Sequence, residues 1–440
     1  MMTSENTPQS PLDILLLAPH PFYQERGTPM AVDMLLGVLS RRGLRTALAT
    51  FAEGEKRDYP HVTIHRIPEL PVVGKGIAPG LSLKKLVCDV FLFAKAFGIV
   101  RKFRPRVIHA VEESVFMALV FRSLFKIPFI YDMDSSMSLQ IMQKKPLFRP
   151  LGPLFRWLEG VAIRRALMVI PVCNALADIA RACGAAHVRV LCDVSMLSVS
   201  ASCSLPNDHL DNNPGEPVAA VPDLRCRYDI TGTCFMYVGN LERYQGIDLL
   251  LESLALARQT DPNLDLVIVG GRSQDIAAYQ ERCRKLGIAD KVHFTGHLPV
   301  ALLHPLLQQA DAVVSPRISG ENTPMKIYSY LDSGRPILAT DLVTHTQVLT
   351  PEVAELVRPD APSMAAGMLR LSSDAAHREK LACTAKAMAA CDYSPEAFEQ
   401  NLNMIYDDIL KQLGDSDPSG TSLNHRLPKA TYRPTEKDRL

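Results

Sequence analysis

The chain has 440 residues, 47% of them hydrophobic and 22% charged, and a net charge of +1. This is more than one hydrophobic core accommodates, and the composition is that of an ordinary globular protein, so two domains with connections are expected. The ten cysteines are scattered with no C-x-x-C pair, which argues against a disulfide scaffold or a zinc site and for a reducing compartment.

The charge is unevenly placed. Residues 1–190 carry 25 Lys/Arg against 15 Asp/Glu, and residues 191–440 carry 23 against 32. A basic first half suits an anionic surface or substrate, and equally suits uneven decoration of two solvated surfaces. The opening MMTSENTPQSPLD is polar, without the basic and apolar regions of a signal peptide, so a cytoplasmic chain is expected.

Short apolar runs alternate with amphipathic stretches, the pattern of βαβ units and parallel sheets. In the first half the buried-strand candidates are 13–18, 45–50, 62–67, 106–110, 128–131 and 167–172; in the second they are 234–238, 264–270, 291–295, 312–315, 336–340 and 354–357. The run LVCDVFLFAKAFGIV (86–100) carries Asp89 and Lys95 and is too short to span a bilayer. With basic residues on both sides it fits either a core-packed helix or one lying on an anionic membrane. Residues 195–223, rich in Ser, Asn, Asp and Pro, read as part of an interdomain linker, and 414–440 as a disordered tail.

One local motif occurs twice. After the first strand, PHPFYQERGTPMAVDMLLGVLSRRG predicts a helix over about 29–42, with Thr28 as its cap and Pro29 in its first turn. After the strand at 312–315, SPRISGENTPMKIYSYLDSGRP predicts a second helix, starting at Thr323-Pro324 and running to about 333. Both starts fall at the carboxyl end of a strand, where open α/β sheets bind ligands and backbone N–H groups favour anions. A phosphate-bearing ligand held between two domains is the physical reading. Glu321 stands beside the second start, Lys326 in its first turn, and Arg243 in the polar loop GNLERYQG that opens at Gly239.

The ordered series YVGNLERYQGIDLLLESLALA, LDLVIVGG, VHFTGHLP, ADAVVSPR and ENTPMKIYSYLDSGRPILAT resembles the retaining glycosyltransferases of family 4. The resemblance implies the GT-B fold, two Rossmann-like doubly wound domains facing a cleft. It implies an acceptor-side domain over 1–194, a linker over 195–230, a donor domain over 231–392, and a closing helix over 393–413 that packs back on the first domain. By the same resemblance Glu321 takes the first acid of an E-x7-E motif and contacts the transferred sugar, while the second acid's position holds Ser329. The Arg and Lys of the family's diphosphate loop fall on Asn240 and Gln245, which leaves Arg243, Arg317 and Lys326 as substitute cations. Gly239, Asn322, Thr323 and Met325 complete the implied donor set. On the acceptor side stand the loop residues Arg26, Gly27 and Thr28, and Glu112 and His109 of HAVEES. The acids Asp132 and Asp134 of YDMDSSM fall where the family's His-Asp or His-Glu element faces the transferred sugar, and so join Glu321 as the implied catalytic residues. Asp134 reads also as a helix N-cap, and His109 reads better as a satisfied core histidine.

The expected chemistry is retaining transfer of a sugar from a nucleoside diphosphate sugar to a saccharide or lipid-linked acceptor, with no metal and no cofactor. A sugar-nucleotide epimerase and a non-catalytic GT-B scaffold are the alternatives. No G-x-G-x-x-G follows the first strand, against a dehydrogenase, and no basic-aromatic patch points to nucleic acid.

Overall fold

The computed structural model describes residues 12–25, 27–70, 82–144, 150–197 and 221–414. Arg26, most of the expected linker and nearly all of the expected tail therefore lie outside the described residues. Every buried-strand candidate is a strand, and the apolar run 86–100 lies within a helix. The first half supplies β1 (Ile14–Ala18), β2 (Thr46–Thr50), β3 (Val62–Arg66), β4 (Val107–Val111), β5 (Phe129–Met133) and β6 (Met168–Pro171). The second supplies β7 (Thr233–Val238), β8 (Leu264–Val269), β9 (Val292–Gly296), β10 (Ala312–Ser315), β11 (Ile337–Thr340) and β12 (Ala354–Val357).

They form two six-stranded sheets in the orders β3-β2-β1-β4-β5-β6 and β12-β11-β10-β7-β8-β9. All the pairings within them are parallel. Each sheet reverses its winding beside its first strand, between β1 and β4 and between β7 and β10. Such a switch point opens a crevice at the carboxyl ends of the strands.

Helices cover both faces of the first sheet, which is why β1 reads ILLLA with no polar alternation. Its Leu15 and Leu17 enter the core beneath three helices: α2 (Leu83–Phe103), α3 (Ser114–Phe125) and α5 (Gly152–Arg165). Ile14, Leu16 and Ala18 enter the opposite core, beneath α1 (Gly27–Arg41) and the last helix, Pro395–Gln412. Between α3 and α5 lies α4 (Met137–Lys144), and α6 (Asn174–Ala182) follows β6. Each fully buried leucine contributes about 1.5–3 kcal/mol.

The last helix begins on a Ser394 cap with Pro395 in its first turn, and buries Phe398, Leu402, Ile405, Tyr406 and Ile409 against the first sheet's core. Ion pairs from Arg41 to Glu399, Arg42 to Asp407 and Arg189 to Asp408 flank it. Exposed pairs of this kind contribute ~0–1 kcal/mol each, so apolar burial holds this helix in place.

Three local expectations are corrected. The first phosphate-facing helix begins at Gly27, so Thr28 sits inside its first turn and does not cap it. The second begins at Lys326, and Thr323-Pro324 stays outside it in a turn that Ile327 N–H closes onto the Pro324 carbonyl at 2.9 Å. The expected linker also holds a short helix, Leu224–Arg227, whose Asp223 cap accepts from Cys226 N–H.

Candidate functional site

The two domains enclose a cleft of about 500 Å³. Its first wall carries Gly27, Thr28, Asp134 and Asp193; its second carries Gly239, Asn240, Tyr244, Gln245, Arg317, Ser329 and the run 322–326.

The second wall is built around two cations. At the end of β7 the chain turns at Gly239, whose φ is +146°. A Cβ there would lie 2.9 Å from the Lys326 Nζ and 3.0 Å from the Tyr237 hydroxyl, so only glycine leaves room for the amine. Lys326 Nζ donates to Gln245 Oε1 at 3.3 Å and lies 3.9 Å from the centre of the Tyr237 ring. Arg317, 8% exposed, donates to the Ser319 carbonyl at 2.9 Å, the Asn322 carbonyl at 3.1 Å and Asn322 Oδ1 at 3.2 Å. Its guanidinium sits 5.0 Å from the Tyr244 ring centre.

Among the described residues neither cation pairs with a carboxylate. Burial pushes the Lys326 amine well below the usual lysine range, and the Arg317 charge pushes it further. Burial also lowers Arg317. Thr323 adds a buried hydroxyl that has no hydrogen-bond partner among the described residues. An uncompensated buried cation is costly, and a bound anion removes that cost.

The loop from Arg317 to Lys326 is pinned from both domains. The Glu321 carbonyl accepts from Gln347 Nε2 at 3.0 Å and from the Cys173 thiol at 3.8 Å. Gln347 Oε1 in turn accepts from Ala175 N–H of α6 at 3.1 Å. The Glu321 side chain is not among the groups lining the cleft, and four residues separate it from the helix start that the sequence placed beside it. Ser329 does line the cleft, but its hydroxyl accepts from Met196 N–H at 3.1 Å and so holds the chain leaving the first domain. Arg243 falls in a 3-10 turn and is exposed, while Gln245 at the end of the same turn is buried in the wall.

The first wall is acidic. Thr28, freed from capping, hydrogen-bonds Asp134. Burial raises the Asp134 carboxyl well above the usual range, and the charges of Asp132, Glu112 and Asp193 raise it further. Asp193 is pushed up to about 7 by burial and by Asp132. Asp134 caps no helix, since α4 starts at Met137.

Asp132 and Glu112 stand behind the lining. Asp132 Oδ2 meets His109 Nε2 at 3.1 Å, and His109 Nδ1 meets the Tyr406 hydroxyl of the last helix at 2.8 Å. His109 is 1% exposed, a core histidine satisfied at both nitrogens. Glu112 adopts φ +49° and donates its N–H to the Asp132 carbonyl at 3.0 Å.

Sequence reasoning missed Tyr244, Asp193 and Glu25. Glu25 Oε2 accepts from Val300 N–H at 3.1 Å, across the two domains. Nothing local marks these residues, because tertiary approach alone brings them to the cleft.

The comparisons with known proteins agree with this architecture. Residues 26–192 match the family model described as "Glycosyl transferase 4-like domain", and residues 232–374 match "Glycosyl transferases group 1". Together the two matches span more than two thirds of the chain. The chain is 24% identical over 301 residues to the alpha-D-kanosaminyltransferase of Streptomyces kanamyceticus, covering 67% of this chain and 74% of that one. Matches to two further curated relatives span less than half of those proteins' lengths. Among solved structures, the sucrose-phosphate synthase of Thermosynechococcus elongatus superposes with a TM-score of 0.69 at 17% identity, over 91% of this chain and 99% of that one. Anabaena HepE in complex with UDP-glucose superposes with a TM-score of 0.66 at 17% identity, over 90% and 99% of the two chains. With both domains matched and the fold shared, the chain belongs to the group 1, family 4-like glycosyltransferases and is an enzyme of the GT-B type.

Proposed function

We propose that this glycosyltransferase takes its sugar from a nucleoside diphosphate sugar bound on the Lys326–Arg317 wall and passes it to a hydroxyl of a saccharide or lipid-linked acceptor held against the Asp134–Asp193 wall. The observation that carries this reading is a buried Arg317 beside a half-buried Lys326, neither with a carboxylate partner among the described residues, set beside the Thr323 hydroxyl, which has no hydrogen-bond partner there. A diphosphate compensates both cations, at about 1.5–3 kcal/mol for each charge-assisted hydrogen bond. The superposition on HepE with UDP-glucose supports the same class of donor.

In the reaction the bond from the anomeric carbon to the diphosphate oxygen breaks, and a bond to the acceptor oxygen forms on the same face. The acceptor's proton passes to the departing phosphate oxygen. Arg317 and Lys326 stabilise the charge that develops on the leaving group, the part a metal ion plays elsewhere, so the reaction runs without one. We assign Glu321 to the hydroxyls of the transferred sugar, because the loop lines the cleft from Asn322 onward and the Gln347 bridge fixes the Glu321 backbone. No cofactor enters this scheme, and scattered free cysteines suit a cytoplasmic enzyme.

Incubation with UDP-, GDP-, ADP- and TDP-sugars tests the reading, followed by thermal shift and nucleotide release. One nucleotide class raises the melting temperature and is slowly released. Glu321→Gln keeps the thermal shift and lowers turnover roughly 10- to 100-fold, the worth of one charge-assisted contact to the sugar. Silence across the panel sinks the proposal and favours a scaffold; turnover unchanged in Glu321→Gln removes that residue from the site.

A further inference from the structure

The outward side of α2 is apolar over its first half. Leu83 is 83% exposed and Val90 63%, with Leu86, Val87 and Phe91 beside them. The same surface continues onto α3 with Val120 and Leu124, and onto α5 with Leu151, Leu154 and Trp157, the last 59% exposed. The three helices form one layer. Their inner faces share a core, Phe93 of α2 stacks on Phe121 of α3 at 5.0 Å, and the Arg122 guanidinium of α3 donates to the Arg165 carbonyl at the end of α5.

The exposed charges on this layer have one sign. Arg101, Lys102 and Arg104 end α2, Lys126 follows α3, and Arg164 and Arg165 end α5, all of them exposed. Lys84, Lys95 and Arg156 are exposed among the apolar residues. Among the described residues between 82 and 166, by contrast, every Asp and Glu is buried or half-buried.

We infer that the outer surface of α2, α3 and α5 docks on an anionic lipid bilayer. A contiguous exposed apolar patch marks an interaction surface, and its occupant must accept a rim of cations. A second copy of this chain fits badly, since a two-fold interface sets like charges against like. A bilayer bearing anionic headgroups takes both the apolar residues and the cations, each basic residue adding roughly five-fold in affinity. Among the described residues no helix is long and apolar enough to cross a membrane, so the contact lies on the surface.

Many of the apolar residues gather towards the cleft end of the layer. Lys85 at the start of α2 pairs with Glu113 just beyond β4, and Glu159 of α5 accepts from Ser136 and Met137 N–H just beyond β5. Docking therefore brings the acceptor wall close to the headgroups. On the glycosyl-transfer reading, that favours a lipid-linked acceptor.

Trp157 is the chain's only tryptophan and reports the contact directly. Full-length protein is mixed with phosphatidylglycerol/phosphatidylcholine vesicles and with pure phosphatidylcholine vesicles, and both sedimentation and emission are read. The expected result is binding to the anionic vesicles alone, weakened by salt, with Trp157 emission moving to shorter wavelength. Val90→Asp combined with Leu154→Asp, and separately Arg101→Glu combined with Lys102→Glu, each lower partitioning at least tenfold and keep wild-type nucleotide-sugar affinity. Equal binding to neutral vesicles, or no change in Trp157 emission, overturns the proposal. So does a dimer in solution that Val90→Asp with Leu154→Asp disperses. The nucleotide-sugar titration uses no lipid, so failure of docking and failure of the glycosyl-transfer reading are told apart.

Discussion

Lys326→Met lowers affinity for a nucleoside diphosphate roughly 10- to 100-fold and leaves the unliganded protein at least as stable as wild type. The loss follows from removing one charge-assisted contact of about 1.5–3 kcal/mol. Stability is kept because the empty site encloses an amine whose charge burial and Arg317 both disfavour, and a methionine of similar length carries no such cost. The lysine's low proton affinity has a second consequence. A bound diphosphate favours the charged amine and so draws a proton from solution, which makes wild-type affinity fall as pH rises through the range where the empty-site amine loses its proton. Calorimetry over a pH series in two buffers of different ionisation enthalpy reads this as net proton uptake in the range where the empty-site amine titrates. Lys326→Met shows little or none. A variant with wild-type affinity and the same proton uptake removes Lys326 from the donor site.

Asp193→Asn raises the melting temperature at pH 8 by several degrees, and the gain disappears near pH 4. Folded Asp193 holds its proton up to about 7, whereas the unfolded chain releases it near the ordinary aspartate value of 3.8. Between those values the folded state binds more protons, so this group's contribution to stability falls as pH rises from about 4 to about 7. Each pH unit of that window corresponds to ~1.4 kcal/mol, enough to move the transition of a protein this size by a few degrees. Asparagine keeps the shape and cannot ionise. Melting curves of wild type and variant from pH 4 to 8 supply the check, and a variant less stable than wild type at pH 8 contradicts the assignment. The same substitution weakens transfer if the acid wall orients the acceptor. A half-buried group that costs stability and faces a cleft is typical of a working site.

The fold was largely legible in the sequence because both faces of each sheet are covered, so central strands such as β1 (ILLLA) and β8 (LDLVIV) are almost continuous apolar runs. The ends of the two cleft helices were not. Thr-Pro is a good capping pair, and local chemistry alone puts a helix start at Thr28 and at Thr323. In the structure Thr28 turns its hydroxyl to Asp134, and Thr323 stays in the pinned loop with its hydroxyl buried. Tertiary contacts decided both. The cations were partly legible: Lys326 stands out as a positive charge at a helix start, but the choice between Arg243 and Arg317 depends on which side of a turn faces inward. Asp193 precedes a polar connection and carries no local signal. Its neighbours in the wall, Thr28 and Asp134, are distant in sequence.

If the Lys326–Arg317 wall grips a diphosphate without help from a metal, affinity must grow with each phosphate added to the ligand. The most direct test is titration of the wild-type protein, with EDTA present, with the nucleoside, the nucleoside monophosphate and the nucleoside diphosphate of whichever base the donor screen selects. The diphosphate is expected to bind at least tenfold more tightly than the monophosphate, and the monophosphate more tightly than the nucleoside. Equal binding of all three, or diphosphate binding that emerges only when a divalent cation is added, would contradict a metal-free grip.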